Sequence, residues 1–206
     1  MKKFTNITAI ACPLPAENID TDQILPARYL KLPRKGEHGK VLFHDLRFDA
    51  EGRERADFAL NKSPWRKAKI IVGGRNFGGG SSREAAVYAL CDYGIRCVIA
   101  PSFGDIFSQN ATKNGLLTAM VAEADGRDLA TVLTRDPALA LMIDLETQTI
   151  ACGELSCQFT IDSARRTRLL NGWDDIDLTE SFRSEINAFK TANLKQRPWS
   201  VPTQTT

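Results

Sequence analysis

The chain has 206 residues, with 27 Lys and Arg against 25 Asp and Glu, a formal net charge of +2. At roughly 150 residues per domain, that length suits one domain with an appendage, large enough to bury a core without disulfide staples. The balanced charge argues against a polyanion-binding protein, so no nucleic-acid partner is expected. A composition of 43% apolar and 25% charged residues excludes wholesale disorder.

Two histidines, His38 and His44, leave little for a histidine-rich metal site. Five scattered cysteines (Cys12, Cys91, Cys97, Cys152 and Cys157) read as reduced thiols, and neither histidine has metal-ligand spacing to the Cys152-x4-Cys157 pair, so no metal is expected on this chain. Polar residues and two prolines interrupt the start, which lacks the apolar region of a signal peptide. No apolar run approaches 18 residues, so no membrane partner is expected and the cytoplasm is the default compartment.

In chain order, residues 4–12 read as a strand ended by Pro13 and Pro15, then a polar loop with Asn18, Asp20 and Asp22. A short helical turn is expected over 24–32, and the Gly, Lys, Arg, Glu and His composition of 33–40 reads as a mobile, solvated loop. A short helix is expected over 57–62, stopped by Ser63-Pro64. The clearest unit spans 69–100. It comprises the β-branched strand Ile70-Ile71-Val72, a glycine-rich turn through Gly78, Gly79 and Gly80, and a helix opening at Ser81 or Ser82 and running to Tyr93 with Gly94 as its cap. A second buried strand over 96–100 completes a right-handed βαβ unit. Helices are expected over 103–113 and 125–133, and strands over 116–121, 139–144, 149–152 and 157–161. Two helices finish the chain. One is capped by Asp162 and ends near Gly172; the other starts at Asp177 with Glu180 completing a capping box and ends near Ala192. Residues 193–206 read as a frayed tail.

The best place for chemistry is Gly78-Gly79-Gly80-Ser81-Ser82-Arg83. Glycines at a strand-to-helix turn let a ligand approach the backbone, the first N–H groups of the helix lack partners, and Arg83 can fork a carboxylate. An anion-binding corner is one reading of these residues. Plain capping of the helix by a Ser81-x-x-Glu84 box is the other. The glycine order is neither a dinucleotide fingerprint nor a P-loop. The segment 18–23 has carboxylates like a calcium loop but lacks the required glycine and terminal glutamate, so a turn with an N-cap is the reading by pattern alone. His44-Asp45 reads as a surface contact.

Taken together, Asn18-Ile19-Asp20-Thr21-Asp22-Gln23-Ile24, Pro26-Ala27-Arg28-Tyr29-Leu30, Gly74 through Glu84, Ser102-Phe103-Gly104-Asp105-Ile106-Phe107, Lys113-Asn114-Gly115-Leu116-Leu117 and Leu169 through Ile176 resemble the 3-isopropylmalate dehydratase small-subunit family, of the aconitase swivelling-domain superfamily. The pieces occur in the family's order over about residues 1–192. The resemblance implies an α/β fold: a swivelling β/β/α domain over 1–161, a C-terminal helical extension over 162–192 and a flexible tail over 193–206. It implies a hydro-lyase subunit that is inactive alone. Its partner would be a large subunit carrying a [4Fe–4S] cluster, and its substrate a small dicarboxylate of leucine biosynthesis. By the same resemblance Ser81 matches a catalytic general base and Asp22 an active-site carboxylate. Ser82 and Arg83 match carboxylate contacts, Arg28 a second clamp, and Leu30 and Leu32 would meet the substrate side chain. Two positions depart from the family pattern: Gly79 stands where a cysteine is usual, and Ala86 lies near the expected place of a histidine, with Ala85 directly after Glu84. These departures leave open a related hydro-lyase subunit acting on a methylmalate- or homoaconitate-type dicarboxylate. A non-catalytic anion- or nucleotide-binding module is the alternative from another class.

Overall fold

The structure is a computed structural model that describes residues 1–34 and 36–200. Its elements, in chain order, begin with β1 (Asn6–Leu14), the one-turn helices α1 (Thr21–Ile24) and α2 (His44–Arg47), and β2 (Ile70–Gly73). Next come α3 (Glu84–Tyr93), β3 (Cys97–Ala100), α4 (Asp105–Lys113), β4 (Leu117–Met120) and α5 (Glu123–Arg135). Strands β5 (Ala140–Asp144), β6 (Thr149–Cys152) and β7 (Leu155–Gln158) lead to α6 (Ser163–Asn171), which completes a unit spanning Met1–Gly172. A second unit begins at Trp173 and contains α7 (Asp175–Glu180) and α8 (Arg183–Gln196).

Strands β2 and β3 are buried at every position, so the sheet there must be covered on both faces. Side-chain alternation sorts the two layers. Ile71, Val98 and Ala100 pack with Ala86, Val87, Leu90 and Ala111, on the side of α3 and α4. Ile70, Val72, Cys97 and Ile99 pack with Leu129 and Leu133 of α5 and Leu169 of α6. Each fully buried Ile, Leu or Val is worth about 1.5–3 kcal/mol, which makes this double-sided core the main stabiliser of the unit.

The sheet order is β4-β3-β2-β1-β5-β6-β7. Strands β4, β3, β2 and β1 pair in parallel, with Ile71 opposite Val98 and Cys12 opposite Ile71. Strand β1 changes partner along its length. Residues 11–14 run parallel to β2, whereas residues 6–10 run antiparallel to β5, from which β6 and β7 continue as a meander. The parallel half brings the loops that follow β1, β2 and β3 to one edge, the edge at which open α/β sheets bind ligands.

Several expectations from sequence are corrected. The last strand lies at 155–158 rather than 157–161. Residues 24–32 do not form one helical turn; α1 ends at Ile24, and a separate 3-10 turn follows at Ala27–Tyr29. The segment 57–62 holds only the 3-10 turn Ala59–Asn61. The helix capped by Asp162 packs within the first unit. Beyond it the capping box is Asp174 with Asp177, one turn earlier than expected, and the chain breaks at Ser181 into two helices. Residues 193–196 continue α8 and 198–200 form a 3-10 turn, so this part of the expected tail is regular; residues 201–206 of it lie outside the described residues.

The segment 33–40 is not a free loop. It enters a 3-10 turn at His38–Val41 in which His38 and Gly39 are buried. Gly39 lies against the end of α3, where a Cβ would come within 2.6 Å of the Asp92 and Tyr93 backbone. Gly39→Ala is therefore expected to destabilise the protein by about 1–3 kcal/mol through overpacking, read as a lower urea midpoint. An unchanged midpoint would show that the segment is not docked there.

Candidate active site

The glycine-rich turn is held in place by a second loop. After β1 the chain passes alongside it, and backbone bonds join the two: Asn18 N–H to the Arg75 carbonyl (2.8 Å), Gly78 N–H to the Ile19 carbonyl (2.7 Å) and Thr21 N–H to the Gly79 carbonyl (3.0 Å). Asn18 and Asn76 both adopt left-handed backbone conformations, which asparagine tolerates, and the Asn76 amide donates to Asn18 Oδ1 at 2.9 Å. Gly78 has a φ of +73°, and a Cβ there would sit 2.2 Å from the Phe107 ring. Only glycine meets both demands.

Helix α3 opens at Glu84, with Arg83 in the N-cap position and no side-chain cap. The Ser81–Glu84 capping box therefore does not form. The Ser81 carbonyl accepts from the buried Thr21 hydroxyl at 3.0 Å, which fixes the backbone and leaves the side chain free. Ser81 and Ser82 are exposed, and neither hydroxyl has a partner among the described residues. Glu84 instead accepts from the Asn114 amide at 2.9 Å; burial, with the Glu84 carboxylate adding to it, pushes the Tyr88 phenol up.

On the facing loop, Asp20 caps α1. It accepts from the Gln23 N–H at 2.7 Å, and its own N–H donates to Gln23 Oε1 at 3.0 Å. Capping thus falls to Asp20 and Gln23, and Asp22 is left to pair with Arg83. The Arg83 side chain is 19% exposed and that of Asp22 52%, so the guanidinium lies inward and the carboxylate at the rim. The structure accordingly brings Asp22, Ser81, Ser82 and Arg83 together beside Gly78, Gly79 and Gly80. The corner offers two free hydroxyls and a guanidinium with donors to spare, a set that suits a carboxylate or another small anion.

Arg28 is engaged elsewhere. Its guanidinium forks onto the Asp45 carboxylate and lies 4.7 Å from the Tyr29 ring centroid, with His44 alongside. The Arg28 hydrogen bonds hold Asp45 down at about 2. Any stability from this pair is present above the ordinary carboxylate range and fades as the pH falls toward 2, and it is small because both side chains are more than half exposed. Leu30 is exposed and Leu32 half-buried on the segment that follows.

The two departures from the family pattern have distinct surroundings. A Cβ at Gly79 would meet the Asn76 amide at 3.0 Å, so a larger residue there would press on the asparagine that ties the two loops. Ala86 is fully buried and Ala85 half-buried against the same core, so small apolar side chains occupy the base of α3.

All five cysteines are free, and burial pushes every thiol up, Cys12 to about 12 and both Cys91 and Cys157 to about 11. Among the described residues, no group of three His, Cys, Asp or Glu side chains converges on a possible metal position. No described helix is long and apolar enough to cross a membrane.

Sequence reasoning missed Thr21, Asn76 and the cluster of Glu84, Tyr88 and Asn114. A signal existed for Asn76, because asparagine ahead of glycines often marks a left-handed turn. Nothing local marked Thr21, whose role depends on a partner 60 positions away.

Comparisons with known proteins agree with this architecture. The sequence profile of the family described as aconitase C-terminal domain matches residues 1–124. The 3-isopropylmalate dehydratase small subunit of Brucella canis is 49% identical over 203 residues, covering 97% of this chain and 100% of that protein. The protein of the same name from Rhodospirillum centenum is 47% identical, covering 98% and 100%. The crystal structure of 3-isopropylmalate dehydratase from Methanocaldococcus jannaschii aligns with a TM-score of 0.64 at 25% identity, covering 90% of this chain and 99% of that one.

The Asp22–Arg83 pair lies at the surface, where ion pairs add little to folding. Asp22→Asn is expected to change the unfolding free energy by less than about 1 kcal/mol in urea titrations. A loss of several kcal/mol would make the pair part of the fold instead of the site.

Proposed function

The chain belongs to the 3-isopropylmalate dehydratase small-subunit family, with an aconitase-type domain, and from that premise we propose that its Ser81 corner is one half of a hydro-lyase active site. The reaction interconverts 2-isopropylmalate and 3-isopropylmalate by removing and re-adding water through isopropylmaleate, a step of leucine biosynthesis. The observation that carries the reading is the free, exposed Ser81 hydroxyl beside an arginine held by Asp22.

A dehydratase of this kind has three tasks: to hold carboxylates, to move a proton at carbon and to help a hydroxyl depart. Arg83 serves the first. Its planar fork matches a carboxylate, and Asp22 orients the guanidinium without using all of its donors. Ser82 adds a hydroxyl next to it. Ser81 serves the second, taking the proton from carbon in dehydration and returning it in hydration. A serine hydroxyl is a poor base in water and needs strong positive potential to act as one. Here Asp22 offsets part of the Arg83 charge, so this chain does not supply that potential alone.

The remaining potential, and help for the departing hydroxyl, fall to the large subunit. In this reading that partner carries a [4Fe–4S] cluster, which supplies Lewis-acid chemistry; among the described residues of this chain no three His, Cys, Asp or Glu side chains converge to hold one. Leu30 and Leu32 provide apolar surface for an isopropyl group. Arg28, bound to Asp45, becomes a second carboxylate clamp only by leaving that partner.

Reconstitution with the large subunit and an isopropylmaleate hydration assay test the reading. Ser81→Ala is expected to lower kcat by at least about 100-fold, with little change in melting temperature, since the side chain bonds nothing among the described residues. Arg83→Lys is expected chiefly to raise KM, because an ammonium cannot fork. Full turnover by the Ser81→Ala pair would refute the role of the serine.

A further inference from the structure

The segment between Tyr29 and His38 carries Leu30 and Leu32, and it is tied to the first turns of α3 by a side chain for which the reaction chemistry gives no role. Arg34 reaches back so that its guanidinium carbon lies 3.7 Å from the centroid of the Tyr88 ring. Its Nη2 donates to Asn114 Oδ1 at 2.5 Å. The amide nitrogen of Asn114 donates in turn to Glu84 Oε1 at 2.9 Å and to the Asn110 carbonyl at 2.9 Å. Glu84 also lies one turn before Tyr88 on α3, and its carboxylate adds to the burial that pushes the phenol up. Arg34, Asn114, Glu84 and Tyr88 therefore form a connected group at the start of α3, one residue beyond Arg83.

The other end of the segment uses the same post. The buried His38 ring meets Tyr88 edge-on at 5.8 Å, and Gly39 lies against the end of α3. Tyr88 thus holds the segment at Arg34 and at His38. The two contacts differ in kind. His38 is 2% exposed and belongs to the core, whereas Arg34 comes from the exposed part of the segment and is held by a ring face and one amide. The Arg34 contact is the one that can open without unfolding the core.

We propose that Arg34 is a positioning residue that latches the 30–34 segment onto α3 and so sets where Leu30 and Leu32 stand relative to Ser81 and Arg83. It touches neither the reacting atoms nor the carboxylates, and it acts through the leucines. With the latch released, the apolar wall for the substrate side chain is no longer pre-placed, and each binding event bears the cost of ordering it. Such a loss weakens ground-state and transition-state binding alike, which raises KM and spares kcat.

This inference rests on the function proposed above, and the test separates the two. Wild-type, Arg34→Ala and Arg34→Lys chains are each paired with the large subunit for steady-state kinetics on isopropylmaleate. Amide hydrogen exchange of residues 30–34 is measured on each isolated full-length chain. Arg34→Ala is expected to raise KM about tenfold with kcat within about twofold, from loss of the ring contact and the charged hydrogen bond. Exchange at 30–34 should quicken while exchange in α3 and the melting temperature stay as in wild type. Arg34→Lys should recover part of the KM, since an ammonium keeps the ring contact. Unchanged KM with unchanged exchange would overturn the latch. So would faster exchange throughout α3 with a lower melting temperature, because the arginine would then merely support the fold. A wild-type pair that fails to turn over isopropylmaleate would refute the proposed function, and in that case the exchange of 30–34 alone decides for or against the latch.

Discussion

Two loops leave the same edge of a parallel sheet, and the ladder between them is the constraint on which the rest depends. Asn18, Ile19 and Thr21 from the β1 side are bonded through the backbone to Arg75, Gly78 and Gly79 from the β2 side. That pairing places Asp22 against Arg83, and the Thr21 hydroxyl holds the Ser81 carbonyl. It requires a glycine at 78, where Phe107 fills the space of a side chain, and asparagines at 18 and 76, where the backbone turns left-handed. Without the ladder, the two serines and the arginine would be ordinary residues ahead of a helix.

Stability and chemistry are separated in space. The apolar layers on the two faces of β2 and β3 outweigh the surface pairs, at about 1.5–3 kcal/mol per buried aliphatic side chain against about 0–1 for an exposed ion pair. The corner is therefore free to keep groups that do little for folding: two hydroxyls without partners among the described residues, and a carboxylate used on a guanidinium. The same separation is consistent with the proposed half-site. The chain presents Ser81, Ser82 and Arg83 at an exposed edge, while Cys12, Cys97 and Cys152 are buried. The small-subunit name of its relatives fits a chain built to be completed by another.

Local chemistry made much of this legible. Ile70-Ile71-Val72 and the residues around Val98 announce buried strands, and the glycines between strand and helix announce a turn that needs backbone freedom. The grouping of Ser81, Ser82 and Arg83 follows from their adjacency, and that of Asp22 came from the family resemblance alone. Ser81-x-x-Glu84 is a valid cap by spacing, yet α3 opens only at Glu84, because Asn114, distant in sequence, takes the carboxylate such a box would need and the Thr21 hydroxyl fixes the Ser81 backbone outside the helix. The polar composition of the 33–40 segment points to a solvated loop. Its docking depends on Gly39, whose lack of a side chain matters only once α3 lies against it. The capping boxes near the end compete on equal local terms, Asp174 with Asp177 or Asp177 with Glu180, and spacing alone cannot choose. Arg28 was grouped with the substrate by resemblance and is found on Asp45, a partner 17 residues away that composition does not reveal.

The central claim is that the ladder between the two loops presents Ser81 and Arg83 as one half of a shared dicarboxylate site. The most direct measurement is a structure of this chain assembled with its large subunit and bound 3-isopropylmalate. The expected result is a substrate carboxylate forked by Arg83, the Ser81 Oγ within reach of the carbon that loses its proton, and the Asp22–Arg83 contact retained. A substrate held wholly by the large subunit, with the Ser81 hydroxyl turned away from it, would contradict the account.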